Sequence, residues 1–491
     1  MTEPLVGATL LPLAIVVPLL WAVLTLVRPR RRPTWLVLPG LVSWLAICAG
    51  LWWQTSQHGV LTHVLGAWPE PLGIALRADG LGSTMALLTS VIGSACALYH
   101  LWTPLNSDAP EAQHWFWPLF FMFGAALNAV WLAADLFNMY VGLELLGLSA
   151  VGLVAISGGA NALAAALRYL LAALLGSLAY LLGVALLYAA YGSLALSSIA
   201  AVATPNTITY VALALITAGL CLKTALFPLH AWLPPAHGVS LTPVSALMSA
   251  LVVKASFVML LRIMAGVGVA IVTPSFAQGL GVLGAGAIAW GGWQALRHAD
   301  LKMLVAHSTV AQIGYLFVGM ALLLGGSAPE LAWDGLMLQL VAHALAKSAM
   351  FLAAGTLIAA VGSYRVADLA GVSRHMPVAL FAFGLAGVSL MGLPPSGGFS
   401  AKWLLLQSAL ASGQWHWAVA LIGGGALTAG YIFRVLGASF TQGTGDTFES
   451  TPFGWDVVAL LLALSSIVVG VGATGPLAVL RIGAPVAGAI P

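Results

Sequence analysis

Residues 211–260 read VALALITAGL CLKTALFPLH AWLPPAHGVS LTPVSALMSA LVVKASFVML, two apolar runs on either side of a proline-rich interruption. With their flanks the runs cover about 207–234 and 240–266, and each has the roughly 20 apolar residues that a membrane-spanning helix needs. Prolines between Phe227 and Pro235 interrupt helical hydrogen bonding, and the freed carbonyls can be satisfied in a membrane only by protein or by water-lined space. The stretch predicts two transmembrane helices and a break that marks wet protein interior.

The composition of the whole chain indicates that lipid is its solvent. Of its 491 residues, 61% are hydrophobic and 6% are charged, whereas a soluble domain carries about 25% charged residues. The net charge of +3 is too small to suggest a nucleic-acid partner. Three distant cysteines lack metal-ligand spacing, so we expect no metal site and interpret them as small packing residues: Cys48, Cys96 and Cys221.

The same criterion of length predicts an all-α polytopic membrane protein with about 14 transmembrane helices. No basic region precedes the first run and no small-residue cleavage site follows it, so we expect a helix there and not a signal peptide. The predicted spans lie near 5–27, 35–53, 80–103, 114–133, 136–156, 164–191, 207–234, 240–266, 272–293, 301–325, 332–361, 377–411, 415–439 and 455–476.

A second break, Gly392–Gly398, interrupts the twelfth predicted span. The two breaks are five spans apart, so the broken helices cross the membrane in opposite directions. A pair of interrupted helices in corresponding places is typical of inverted-topology repeats. The sequence therefore predicts two inverted repeats, each containing a broken helix.

The distribution of arginine in short loops predicts the orientation. One side of the membrane carries Arg28, Arg30, Arg31, Arg32, Arg297, Arg365 and Arg374, and the other carries Arg77, Arg262 and Arg481. We expect the arginine-rich side in the cytoplasm of a bacterial-type inner membrane, and both termini outside.

Charged side chains occur inside the predicted spans, where each costs at least about 2.5–3.5 kcal/mol. The central ones are Glu144, Lys223, Lys254, Lys347 and Lys402. One carboxylate cannot neutralise four lysines, so static ion pairs do not account for the set. Charges near helix ends can instead reach the headgroups: Asp135, Arg168, Asp300, Lys302 and Arg434.

Lysine in apolar surroundings is suited to carrying protons. Burial disfavours the ammonium form, so such a lysine can release and regain a proton near neutral pH. Glu144 close to Lys223 would favour the charged lysine, and its withdrawal would favour proton release. Histidines between the lysines can relay protons, although His230, His237 and His307 can also be core residues bonded to backbone. His343 is four residues before Lys347, on the same face of one helix.

These residues resemble a known family, the antiporter-like membrane subunits of respiratory complex I, Mrp-type sodium/proton antiporters and membrane-bound hydrogenases. The resemblance covers roughly residues 80–440. It rests on the ordered set of Glu144, Lys223 through His237, Thr242–Leu247, Lys254, Asp300–Lys302, His307-Ser308 and Gly392 through Lys402.

The resemblance implies a 14-helix fold with two inverted five-helix repeats. It places N-terminal helices in 1–113, half-channels in 114–266 and 267–440, and a C-terminal loop and helix in 441–491. It implies that Glu144 pairs with Lys223, that Lys254 is the central relay, and that His343, Lys347 and Lys402 serve the second half. The chain ends at Pro491 and so resembles the shorter family members.

The function expected is translocation of protons, or of sodium against protons, within a complex of other membrane subunits. The sequence has no cofactor or catalytic motif, and the resemblance implies at most a subunit of an NADH:quinone oxidoreductase-like translocase. Two alternatives remain: a proton-conducting partner of a zinc protein in inorganic-carbon uptake, and a standalone secondary carrier. A scaffold without transport would need a broken relay, and every element of the relay is present.

Overall fold

The computed structural model describes residues 5–27, 34–66, 68, 73–103, 110–268, 271–442 and 448–485. The described part is built from helices and one β-hairpin. The arginines Arg28, Arg30, Arg31 and Arg32, on which much of the predicted orientation depends, lie outside it.

The helices of the first half are α1 (Leu5–Val27), α2 (Thr34–His58), α3 (Gly80–Leu101), α4 (Pro110–Leu132), α5 (Leu136–Ala155), α6 (Gly159–Tyr191), α7 (Leu196–Val202), α8 (Thr207–Thr224), α9 (Leu233–Val239), α10 (Thr242–Leu247) and α11 (Val253–Ala265). Those of the second half are α12 (Pro274–Arg297), α13 (Leu301–Gly325), α14 (Pro329–Val361), α15 (Val372–His375), α16 (Pro377–Met391), α17 (Gly397–Ala411), α18 (Trp415–Phe440), α19 (Phe453–Val471) and α20 (Thr474–Leu480).

The predicted all-α polytopic membrane fold is confirmed, with 12 of the about 14 predicted spans meeting the length and composition of a membrane crossing. In the described residues, 12 helical segments are long and apolar enough to cross a membrane, with α10 and α11 counted as one segment. The other two predicted spans correspond to α12 and to the pair α16–α17, which the second break separates. Helix ends differ from the prediction by a few residues; α6, for example, begins at Gly159.

Both predicted breaks occur where the prolines and glycines indicated. Helix α8 ends at Thr224, and Ala225 takes a left-handed conformation with φ of 59° before the chain turns into α9. Helix α16 ends at Gly392, with φ of 84°, and α17 begins after Ser396, whose hydroxyl accepts a hydrogen bond from the Phe399 N–H. Each break therefore has its own stop signal and divides one membrane crossing into two short helices.

Several elements were not predicted. Strands β1 (Leu61–Leu65) and β2 (Ile74–Ala78) pair antiparallel, Leu61 opposite Ala78, between the second and third predicted spans. A π-helical turn, Met248–Val252, separates α10 from α11 inside one crossing. Such turns are frequent at functional sites, and this one comes directly before the helix that carries Lys254.

The central helices are enclosed by protein and the outer ones face lipid. In the crossing Thr242–Ala265 every residue except Thr242 and Arg262 is buried, and α13 and α14 are mostly buried. In contrast, α6 presents an exposed leucine face. Glycines permit close contact between helices: a Cβ on Gly176 of α6 would lie 2.8 Å from the Gly219 carbonyl of α8. Charges on the central helices are thus in the protein interior.

Two parts of the chain share several local features. Helices α6 and α14 each have 33 residues and each ends at a left-handed glycine, Gly192 and Gly362. The helix before each begins at an aspartate cap, Asp135 for α5 and Asp300 for α13. Both aspartates also form an isolated antiparallel bridge to the segment that follows the long helix, at Ala195 and Arg365 respectively.

Candidate functional site: a buried line of lysines

All five lysines of the chain are buried. Their exposed fractions are 9% or less, and Lys254 and Lys347 have none. Lysine is almost never fully buried unless it is paired. The ion pairs of the described residues give a carboxylate to Lys223 alone, and the other pairs hold arginines. The lysines therefore depend mainly on carbonyls and hydroxyls.

Glu144 and Lys223 form the expected pair between α5 and α8. The Lys223 ammonium lies 2.8 Å from Glu144 Oε1, and the Ser177 hydroxyl of α6 donates to the same oxygen. The carboxylate is 24% exposed and the lysine side chain only 5%. Glu144 is therefore the partly exposed residue of the pair, and Lys223 is the buried one.

A small cavity and two hydroxyls continue inward from Lys223. The cavity measures about 20 Å³ and is lined by Lys223, Ser256 and the stacked rings of Tyr169 and Trp232. That volume holds about one water molecule. Thr224, next to Lys223, contacts the Ser256 hydroxyl at 3.1 Å, two residues from Lys254 on α11. Hydroxyls thus bridge the helices of the first two lysines.

Lys254 lies beside the π-helical turn. Its ammonium donates to the Ser249 carbonyl at 3.2 Å, and the Ser249 hydroxyl contacts Thr309 of α13 at 2.8 Å. On α14, Lys347 donates to the Val305 carbonyl at 3.0 Å and to the Ser308 hydroxyl. The turn and α13 therefore join Lys254 to Lys347 through polar groups.

His343 lies one helical turn before Lys347, as the four-residue spacing predicted. Neither ring nitrogen has a hydrogen-bond partner among the described residues. The ring is within electrostatic range of Lys254, Lys347 and Lys402. It thus lies near both the central lysines and Lys402.

Lys402, on α17 after the second break, is held by the carbonyls that the break frees. Its ammonium donates to Leu390 at 2.6 Å and to Met391 at 3.2 Å, and it lies 4.1 Å from the centre of the Tyr315 ring. Lys402 also lines a cavity of about 220 Å³ with Trp403. This end of the line has space for several waters.

The other histidines lie around the first break. His237 is fully buried against Phe351 with both ring nitrogens unpartnered among the described residues, so the interpretation as a satisfied core histidine fails for it. His230 stacks on Phe227, and His307 stacks on His298 with ring centres 4.6 Å apart. His307 also lies within electrostatic range of His230.

Two of the residues near helix ends, for which contact with the headgroups was one interpretation, bond to backbone carbonyls of the protein. Lys302 is 7% exposed and donates to the Ser240 carbonyl beside the first break, and His237 is within its electrostatic range. Arg434 donates to the Leu296 and His298 carbonyls at the end of α12. The sequence analysis did not assign Lys302 to the line of buried lysines. All five lysines of the sequence lie within predicted apolar spans, and this pattern could have indicated that Lys302 belongs with the others.

Buried amides also escaped the sequence analysis. The Gln312 amide on α13 donates to the Leu390 carbonyl at 3.1 Å and accepts from Gln339 of α14 at 3.0 Å. The hydrogen bonds of these two glutamines connect the second break to α13 and α14. No group of three or more His, Cys, Asp or Glu in the described ranges is placed to hold a metal ion.

The fold and site define a class: multi-pass α-helical membrane proteins with a buried line of proton-exchanging side chains. The family NADH:quinone oxidoreductase/Mrp antiporter, TM, matches residues 133–428. NADH-quinone oxidoreductase subunit N of Desulforudis audaxviator is 38% identical over 78% of this chain and 75% of its own. A Na(+)/H(+) antiporter subunit of Alkalihalophilus pseudofirmus is 25% identical over 84% of this chain and 83% of its own.

A solved structure, that of the Mrp complex from Dietzia sp. DQ12-45-1b, superposes with a TM-score of 0.86 at 25% identity, covering 97% of this chain and 96% of the other. The chain belongs to the NADH:quinone oxidoreductase/Mrp antiporter family of membrane proteins.

Proposed function

We propose that the chain translocates protons across the membrane as one subunit of a larger energy-converting complex. The observation that carries this proposal is the burial of all five lysines, of which one has a carboxylate partner. Burial without pairing is costly for an ammonium, and a group that can lose its proton avoids this cost. Named relatives in complex I and Mrp antiporters support assembly with other membrane subunits.

The first half of the relay is the line from Glu144 to Lys254. Glu144 stabilises the ammonium of Lys223 while the two are in contact. If the carboxylate withdraws or gains a proton, Lys223 loses that stabilisation and passes a proton inward. The Thr224 and Ser256 hydroxyls, with one water in the adjoining cavity, make the path to Lys254.

The second half leads from Lys254 to Lys402. Lys347 and His343 receive the proton from Lys254, and Lys402 delivers it to the cavity beside Trp403. Around the first break, proton transfer from one aqueous side passes through His230, His237 and His307, to which we add Lys302. Protons are proposed in preference to sodium because ammonium groups repel a bare cation, whereas lysine and histidine exchange protons.

The two halves of the relay are proposed to be inverted repeats, 114–266 and 267–440, flanked by helices in 1–113 and 441–491. The paired aspartate caps, the equal lengths of α6 and α14 and their left-handed glycine ends support the correspondence. One broken helix in each half also supports it.

The membrane is proposed to be the bacterial inner membrane, with both termini outside, because arginine is enriched in the loops of one side. The driving reaction is assigned to other chains of the complex. A carbon-uptake role is not favoured, since the named relatives belong to complex I and to Mrp antiporters. A standalone carrier is not favoured either, because the named relatives are subunits of larger assemblies.

The test is proton flux in liposomes that contain the protein purified with its native partners. We expect Lys223→Ala and Glu144→Ala to abolish coupled flux while the complex still assembles. Mass spectrometry of the same preparation identifies the partner chains. Wild-type flux in both variants would refute the relay, and full activity of the isolated chain would favour a standalone carrier.

A further inference from the structure

A second cavity, separate from the lysines, lies under the β-hairpin. It measures about 580 Å³ and is enclosed by β1 and β2, the end of α11, helix α7 and the C-terminal residues Ile482–Pro485. None of the five lysines or of the relay histidines lines it. We call it the hairpin cavity.

One corner of the hairpin cavity is charged. Arg262 lies 2.7 Å from Asp79, and Arg77 lies 3.9 Å from the other oxygen of the same carboxylate. Two guanidinium groups thus share one carboxylate, which leaves a net charge of +1. The Nε atoms of both arginines are buried without a hydrogen-bond partner. The Arg262 side chain is 12% exposed and the Arg77 side chain 41%. An anion can complete the buried donor of a guanidinium as poorly solvated as that of Arg262.

The charged corner of the hairpin cavity is closely packed. The Gly80 N–H donates to the Ile482 carbonyl at 2.9 Å and attaches the C-terminal segment to α3. Gly483 has φ of +71°, and a Cβ there would lie 3.0 Å from the Asp79 Cβ. A Cβ on Gly82 would lie 2.9 Å from Arg262 Nη2. A Cβ on Gly82 would also lie 2.7 Å from the Trp131 carbonyl, so both positions favour glycine, and backbone packs closely on the pair of Asp79 and Arg262.

The remaining walls are mainly apolar and include Leu81, Leu261 and Trp333, with the polar side chains of Thr62 and Ser197 among them. The volume is within the range of about 300–1,000 Å³ that is typical of sites for small ligands. Asp79 caps the start of α3 and Arg262 lies in the last turn of α11. The charged corner is therefore at the ends of transmembrane helices, where lipid headgroups lie.

We propose that the hairpin cavity binds one anionic phospholipid, with its phosphate on Arg77 and Arg262 and acyl carbon against Leu81, Leu261 and Trp333. The bilayer supplies a molecule that combines one anionic head with an apolar chain, which are the two chemistries that the cavity presents. This site is independent of the proton relay and of its proposed role.

Native mass spectrometry of the full chain in detergent tests the proposal. The probes are phosphatidylglycerol, zwitterionic phosphatidylcholine, oleate and inorganic phosphate. Ala200→Trp fills the cavity from α7, and its control is Ala201→Trp, an exposed neighbour that does not line it. Arg77→Gln removes the excess charge, and Arg374→Gln makes the same change at an exposed site elsewhere.

We expect wild type to retain one phosphatidylglycerol at least about tenfold better than phosphatidylcholine, and both cavity variants to lose that preference while both controls keep it. Equal retention of the two lipids, or unchanged retention in Ala200→Trp and Arg77→Gln, would overturn the proposal. Binding of oleate or inorganic phosphate as tight as that of phosphatidylglycerol would also overturn the proposal, because the cavity would then not select a phospholipid.

Discussion

The Lys254 ammonium donates a hydrogen bond to the Ser249 carbonyl, 3.2 Å away and five residues earlier in the same membrane crossing. Both residues belong to the segment that contains the π-helical turn Met248–Val252. Lys254 is wholly buried, and no ion pair of the described residues includes it. A carbonyl can accept from either protonation state of the amine, so this contact holds the side chain without fixing its charge.

Lys254→Arg and Lys254→Met together distinguish a relay from a structural cation. Arginine keeps its charge and cannot release its proton in a protein, and methionine keeps the apolar stem. We expect both variants to reduce proton flux in liposomes by at least about 100-fold, the range that one positioned proton-transfer group contributes. A purely structural cation predicts an active Lys254→Arg and an inactive Lys254→Met.

Glu144→Gln tests the charge of the pair without removing its shape. The amide oxygen can still accept from Ser177 and Lys223, but it cannot stabilise the ammonium or take up a proton. We expect a loss of flux of about tenfold or more with normal assembly. Glu449→Gln is the control, because that residue is exposed in the loop before α19. An equal loss in the control would indicate a general charge effect.

The hydroxyls between Lys223 and Lys254 provide a third test. Thr224→Val and Ser256→Ala remove the 3.1 Å contact and keep the side-chain volumes nearly constant. Because a water can replace one hydroxyl only partly, we expect each single variant to lose about threefold in flux and the double variant about tenfold. Thr25→Val is the control, since Thr25 is also buried but bonds only to carbonyls of its own helix. Full flux in the double variant would place the path elsewhere.

The fold was predictable because the bilayer imposes one rule on every crossing: about 20 apolar residues with satisfied backbone groups. The prolines near Pro228 and Pro395 marked both breaks, and the apolar context of Glu144 and Lys223 marked the pair. All of these signals are local in sequence.

What could not be predicted depends on contacts between distant segments. Lys302 lies near the start of α13, where a lysine usually reaches the headgroups, yet Ser240, 62 residues earlier, provides its carbonyl. Ser177 is one serine among many, and only the packing of α6 on α5 brings it to Glu144. The π-helical turn Met248–Val252 lies in a segment whose composition fits an ordinary helix, so nothing in the local sequence marks it.

Gly392→Ala tests whether the second break positions Lys402. Gly392 has φ of +84°, and a Cβ would lie 2.7 Å from Lys402 Cδ. The left-handed conformation costs an alanine about 1–2 kcal/mol, and the lysine stem must move away from the Leu390 and Met391 carbonyls. We therefore expect lower thermal stability together with a loss of flux of about tenfold.

Gly423→Ala is the control, because Gly423 lies within α18 with nothing within 4 Å of its Cβ position. Alanine there favours the helix by about 1 kcal/mol, so stability should hold or rise and flux should be normal. If Gly392→Ala loses stability but retains flux, the glycine serves only the fold, and the position of Lys402 does not depend on it.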